Sequence, residues 1–249
     1  MGATRNERGR SGVCSTVHAC YHANMSLLST MKQLVIIPGS RERTIRGGPF
    51  RGIKMNLDLS CQTQMWLGLY EREVFSELTA HSRGIRTALD IGVGYGDYTL
   101  YFLLKTQAER VIACEPSADM RLHLSENLRL NGIEDTPRLE VVKKFVNSYV
   151  DNNEVTLDEL ASSVKPPILV KMDVDTLESN VLRGASKFLR LPDVRWIVET
   201  HSKALEEECL SIFHQAGYHT KVIHNAWWRL FVPDLRPIEH NRWLSAIRR

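Results

Sequence analysis

The segment Leu89–Leu100 reads LDIGVGYGDYTL. It ends a β-type run on Asp90, places Gly92, Gly94 and Gly96 at alternate positions, and returns through Tyr98 to aliphatic residues. Glycines so spaced admit positive φ and let a ligand lie against the backbone. A strand, a glycine turn and a helix in succession present free N–H groups at a helix N-terminus. A dinucleotide site calls for G-x-G-x-x-G; here the spacing is G-x-G-x-G, and Asp90 would repel a pyrophosphate. The same anion suits the amino group or sulfonium of S-adenosylmethionine. Glu115 follows at the end of the next β-type run, before Pro116, where a carboxylate can accept both hydroxyls of a ribose. Asp90, Gly92, Gly94, Gly96, Tyr98, Glu115, Pro116 and Asp173 are therefore the candidate cofactor residues.

A second constellation lies further along. In ILVKMDVD, Lys171, Asp173 and Asp175 alternate with Ile168, Val170, Met172 and Val174, so the charged residues share one face of a strand. In WIVETH, Glu199 and His201 share a face, and Glu178 opens a helix whose dipole favours its charge. Buried charges are costly unless paired, so the plain alternative is a structural ion pair at the rim of a sheet. Six ionisable groups exceed that need. Lys171, Asp173, Glu199 and His201 are the catalytic candidates. Transfer of the donor's methyl group to a weak nucleophile needs a base as the new bond forms, and an imidazole with an ordinary pKa near ~6.5 suits it. Lys171 either lowers the pKa of the acceptor or, if desolvated, is itself a base; Asp173 positions cofactor or acceptor. The same types serve a second mechanism, in which Asp173, Asp175, Glu178 and His201 bind a divalent cation that acidifies a coordinated hydroxyl. Spacing alone does not define a coordination shell, and both mechanisms stay open.

The elements that must position these residues alternate from Arg86 onward. Strands are expected at RTALDIGV, RVIACEP, RLEVVKKFV, PPILVKMDV and RWIVETH, with helices after Gly96, over ADMRLHLSENLRLNG, TLDEL, LESNVLRGASKFLRL and ALEEECLSIFHQAGY. Such alternation implies parallel pairing with right-handed crossovers. HTKVIH and WWRLFVP, two late strands, suggest an antiparallel pair at one edge. Upstream, RTIRGGPFRGIKMNLDL reads as a small hairpin, and TQMWLGLYEREVFSELTAH as one helix carrying Tyr70, Val74 and Leu78 on a stripe. Residues 1–30 are polar and aperiodic, expected to be a disordered tail, with Met25 or Met31 an alternative start. The chain divides into that tail, residues 31–80 with the hairpin and lead-in helix, and residues 81–249 as the cofactor-binding domain, 31–249 forming one unit. Trp227, Trp228 and Trp243, interleaved with Arg229, His240, Asn241 and Arg242, suit sugar recognition or simple packing; Trp243, past the last expected strand, is placed to form a lid.

Composition bounds the reading. A chain of 249 residues, 43% hydrophobic, buries a substantial core, and a net charge of +3 is too small to argue for nucleic acid. Five scattered cysteines (Cys14, Cys20, Cys61, Cys114, Cys209) form no C-x-x-C pair and suit a reducing compartment. No apolar run is long enough to span a membrane, so a cytoplasmic protein is expected.

In order along the chain, GLYEREVFSEL, ALDIGVGYGDYTL, VIACEP, TLDEL, LVKMDVDTLESNVLRGA and IVETH resemble the FkbM family of S-adenosylmethionine-dependent methyltransferases, over about residues 45–245. The resemblance implies an α/β class I, Rossmann-like fold: seven strands, mostly parallel with the last antiparallel, and helices on both faces. It implies O-methylation of a hydroxyl on a sugar, glycolipid or natural product, and puts Gly92, Gly94 and Glu115 where the cofactor is held. The acceptor is then a small molecule or glycan rather than nucleic acid; oligomeric state is not legible. The chain departs from the family pattern at Asp175–Thr176, where Glu–Gly is usual, and Thr176 is strained if that site needs positive φ. Two other readings compete. An RNA or DNA methyltransferase lacks support from an N/D-P-P-Y/F or Pro-Cys motif, and a binder that has lost turnover is a third reading, which Thr176 leaves open.

Overall fold

The structure, a computed structural model, describes residues 39–225, 240 and 242–248. The expected tail, the alternative starts Met25 and Met31, the strand WWRLFVP with Trp227, Trp228 and Arg229, and Asn241 lie outside the described residues.

Two short strands, β1 (Arg41–Thr44) and β2 (Lys54–Leu57), form an antiparallel hairpin. Helix α1 (Thr63–Leu67) and helix α2 (Phe75–His81) follow, separated by Gly68, a bend and a 3-10 turn at Arg72–Val74. The single helix expected across this stretch is thus two. Gly68 takes a left-handed φ of 72° and crosses Gly47 so closely that a Cβ there would lie 2.2 Å from the Gly47 carbonyl oxygen. Two segments of the chain meeting backbone to backbone leave no room for a helix to continue. Past that break Glu71, at φ 52°, turns into the interior.

The main sheet alternates with helices: β3 (Thr87–Ile91), α3 (Asp97–Lys105), β4 (Arg110–Cys114), α4 (Ala118–Leu130) and β5 (Leu139–Val142). Two-residue strands β6 (Phe145–Val146) and β7 (Glu154–Val155) pair with each other and lead to α5 (Leu157–Leu160). Then come β8 (Ile168–Met172), α6 (Glu178–Arg183), β9 (Val194–Thr200), α7 (Lys203–Gln215), β10 (His219–Ile223) and β11 (Arg242–Ile247). Helix α6 is shorter than the pattern suggests. Gly184 ends it against Asn147, whose carbonyl oxygen a Cβ at Gly184 would meet at 2.2 Å.

Seven strands run in the order β10-β11-β9-β8-β3-β4-β5. All neighbours are parallel except those of β11, which is antiparallel to both β9 and β10. This is the parallel pairing that the alternation implies and the seven-stranded sheet with an antiparallel last strand that the family resemblance implies. Strand β3 is followed outward by β4 and β5 on one side, whereas β8 and β9 lie on the other. The order therefore reverses between β3 and β8, and in open α/β sheets ligands bind beyond the carboxyl ends of the strands at such a point.

Apolar residues fill both faces. Leu89, Ile112, Val170 and Trp196 pack on one side with Phe188 and Phe213; Ala88, Val111, Leu169 and Ile197 face Phe50, Tyr98, Phe102 and Trp243 on the other. Each large side chain buried this way is worth about 1.5–3 kcal/mol. Trp243 is not a lid. It sits within β11 opposite Glu199, is 1% exposed, and lies 6.4 Å from the Tyr98 ring.

Candidate functional site

Period 2 along the strands carries the charged residues to one place. Asp90, Lys171 and Glu199 follow Ala88, Leu169 and Ile197 onto the Tyr98 face of the sheet. The backbone closes the switch point tightly. The Asp173 N–H donates to the Ile91 carbonyl (2.9 Å), and a Cβ on Gly92 would lie 1.7 Å from the Asp173 oxygen. Gly92, Gly94 and Gly96 take φ of 81°, 54° and 88°, so the turn is built wholly from left-handed glycines. Gly96 packs on Leu124 of α4, and Gly94 faces open space.

Beside that open space stands Glu115. The Gly94 N–H donates to Glu115 Oε2 (3.2 Å) and the Ser117 N–H to Oε1 (2.9 Å). Each oxygen keeps acceptor capacity. Pro116 ends β4, and the Arg121 guanidinium clamps the bend by donating to the Glu115 and Pro116 carbonyls (2.9 and 2.7 Å). An acid held beside a cradle of bare backbone fits a ribose.

Below the turn the charges are occupied with one another. Asp90 is fully buried; it accepts a hydrogen bond from Thr99 Oγ1 (2.6 Å) and lies 3.7 Å from Lys171 Nζ. Lys171 donates to the Gly92 carbonyl (2.8 Å), lies 3.8 Å from Asp173 Oδ2, and sits 4.9 Å from the centre of the Tyr98 ring. Burial pulls the Lys171 pKa down, but Asp90, then Asp173, Glu71 and Asp97, more than offset it and hold the ammonium above its ordinary value. Lys171 thus stands under the turn, between the Gly92 carbonyl and the carboxylates of Asp90 and Asp173. Burial, less the charge of Lys171 and the Thr99 hydrogen bond, raises Asp90.

Two acids here have no signal in the sequence. Glu71 is buried and accepts a hydrogen bond from the Tyr98 hydroxyl (2.7 Å); burial and then the charge of Asp97 push it up to about 8, against the pull of Lys171. Asp97, at the start of α3, is pushed up by burial to about 6. Glu71 reaches the site only because the lead-in helix breaks, and nothing local in LYER announces that. Tyr98, a candidate cofactor residue, packs 5.3 Å from Phe50 and spends its hydroxyl on Glu71.

Across the Gly92–Asp173 contact, His201 is the centre of a polar cluster. Its Nδ1 hydrogen-bonds Glu178 Oε1 (2.5 Å), and its Nε2 lies 3.5 Å from Asp173 Oδ1 and 3.4 Å from Asp175 Oδ1. Burial lowers its pKa, but the Glu178 hydrogen bond and then the charges of Asp173, Glu178 and Asp175 hold it above the ordinary histidine value. Glu178 is wholly buried and also accepts from the Thr176 N–H (3.3 Å). Glu199 is buried beside them, whereas the Asp175 side chain is 79% exposed. Thr176 has φ 75°, a conformation that a β-branched residue adopts only under strain.

A cavity of about 400 Å³ opens at the opposite edge of the sheet, by the N-terminal ends of β3, β4 and β5. Its Arg86 and Arg110 are paired with Glu109 and Glu140, and no residue of the glycine turn or the His201 cluster lines it.

The chain matches no protein-family model and no curated protein. Solved structures do resemble it. A precorrin-6Y C5,15-methyltransferase from Geobacter metallireducens superposes with a TM-score of 0.50 at 13% identity, covering 72% of this chain and 88% of that one. The methyltransferase FkbM from Methylobacillus flagellatus gives 0.51 at 18% identity over 65% of this chain and 43% of that chain. An rRNA methylase from Streptococcus thermophilus gives 0.50 at 14%, over 72% and 97%. At such identities the likeness is one of fold, shared by methyltransferases that act on different substrates.

Proposed function

We propose that this chain is an S-adenosylmethionine-dependent methyltransferase of the FkbM type, acting on a hydroxyl oxygen of a sugar, glycolipid or other small molecule. The observation that carries the reading is the open cradle at Gly94 beside the oriented carboxylate of Glu115, at the reversal of strand order, with a His201-centred polar cluster across the Gly92–Asp173 contact. When bound, the cofactor supplies a methyl group already activated by a sulfonium. Glu115 holds the ribose hydroxyls, and Gly92, Gly94 and Gly96 bring bare backbone against the nucleoside. The Lys171 ammonium neutralises Asp90 and pins the Gly92 carbonyl, so the turn keeps its shape. Asp173, Glu199 and His201 line the place where the acceptor hydroxyl is held, and His201 is the residue whose loss costs turnover most. Asp90 supports the turn from below. Among the described residues no helix is long and apolar enough to cross a membrane.

Calorimetry with S-adenosylmethionine and with its demethylated product tests the cofactor. Both bind, and Glu115→Ala weakens them about 10- to 100-fold, as expected for lost hydrogen bonds to a charged group. Absence of affinity for either sinks the reading. Labelled donor, a panel of hydroxylated acceptors and an RNA panel then test the acceptor class, and methyl transfer to RNA alone overturns it.

A further inference from the structure

Asp173, Glu199 and His201 each offer one donor atom, and the three atoms lie within 4.8 Å of one another. The His201 side chain is only 5% exposed, yet its Nε2 has no hydrogen-bond partner among the described residues and is aimed between the Asp173 and Asp175 carboxylates. A buried polar nitrogen left in that condition is costly. Behind the ring, Glu178 takes the Nδ1 hydrogen and is itself held by the Thr176 N–H. A carboxylate in that position fixes the tautomer and turns the Nε2 lone pair outward, which is how metal-binding histidines are oriented.

We propose that Asp173, Glu199 and His201 bind a first-row divalent cation of the Mn²⁺ type, with Glu178 as the positioning carboxylate, and that the acceptor hydroxyl takes an open position on the ion. Two carboxylates with one imidazole suit Mn²⁺ better than the all-oxygen preference of Ca²⁺ or Mg²⁺. Ligands about such an ion stand roughly 3–4 Å apart for bonds near 2.1 Å, so the three donors close on it with about an ångström of side-chain rotation. This ligand set differs from the one the sequence suggests. Glu199 enters, Glu178 lies behind the imidazole, and Asp175 stays at the surface. The ion lowers the pKa of the coordinated hydroxyl, whose proton passes to the Asp175 carboxylate and on to water. What the ion does rests on the methyltransferase reading; that it binds does not.

The test uses the full chain without an affinity tag, and Mn²⁺ alone, by calorimetry and electron paramagnetic resonance. One site is expected, with a pulsed-resonance coupling to a single imidazole nitrogen. His201→Ala removes the coupling, and Glu199→Gln weakens binding about 100-fold. Glu178→Gln weakens it about 10- to 100-fold, in the range of lost outer-shell partners. Asp175→Asn stays within about threefold. The nitrogen coupling is read in the wild-type chain, so the test survives any variant that fails to fold. Failure to bind Mn²⁺ below about 1 mM, an unchanged signal in His201→Ala, or an equal loss in Asp175→Asn and Glu199→Gln overturns the proposal. Cofactor calorimetry without added metal is unaffected by that outcome, so the two readings fail separately.

Discussion

The two turns that flank the switch point are built on opposite terms. After β3, every left-handed position from Gly92 to Gly96 is a glycine, and the loop holds its shape without strain. After β8, the left-handed positions are Asp175 and Thr176, so the loop is strained where it carries its charge. The first turn leaves bare backbone open at Gly94 and packs tightly at Gly92. The second has to place the Thr176 N–H on Glu178, which holds His201. Strain of this kind persists where surrounding contacts over-determine it, and such sites cluster at function. One side of the switch point is thus an open turn of bare backbone and the other a polar cluster, joined by Lys171, which touches both.

That joint gives the largest expected effect. Lys171→Met leaves Asp90 buried without its cation and should cost about 3–5 kcal/mol of stability, read as a fall in the urea midpoint. A loss under about 1 kcal/mol would show that the two turns stand independently. Next, Gly92→Ala and Gly94→Ala separate close approach from conformation. Alanine at Gly92 meets the Asp173 oxygen as well as an unfavourable φ and should cost more than about 2 kcal/mol, whereas Gly94→Ala pays only the φ penalty of about 1–2 kcal/mol. Equal losses in thermal unfolding would break the distinction.

Glu71 sharpens the comparison through pH. Its carboxyl is held up to about 8 in the folded chain, from an ordinary 4.5, so the folded state keeps a proton that the unfolded state gives up earlier. Stability from this group is full below about pH 4 and is lost as pH rises through about 8. Glu71→Gln removes that slope, so the variant gains on the wild type by up to a few kcal/mol between pH 5 and pH 8.5. Parallel midpoints for the two chains over that range would place the Glu71 titration elsewhere. The smallest effect is Thr176→Gly, which relieves left-handed strain at some entropic cost and should raise stability by up to about 1 kcal/mol. A lower melting temperature would mean that the strain is absent.

Much of the sheet was legible because it is local. Period-2 alternation in ILVKMDVD and WIVETH, and the strand–glycine–helix succession at Asp90–Tyr98, are properties of contiguous residues, and they located the residues of both turns. The signs of the charges were legible too, but not their partners. Asp90 reads as a ligand for a cation, and in the fold Lys171, 81 positions later and one strand away, lies beside it. His201 reads as an ordinary base, whereas in the fold its Nδ1 meets Glu178, from the helix that precedes its strand.

The amino-acid sequence by itself determined the alternation of strands and helices, the glycine turn, Glu115 at the tip of β4, and the acids and histidine at the ends of β8 and β9. Only the tertiary structure decided that the lead-in helix breaks and sends Glu71 inward, that Trp243 is a strand residue in the core, and that Glu178 stands behind His201 with Asp173 and Glu199 in front. The physical reason is range. Periodicity and turn chemistry act over a few residues, whereas the Gly47–Gly68 crossing, the β9–β11 register and the pairing of buried charges depend on segments far apart in the chain.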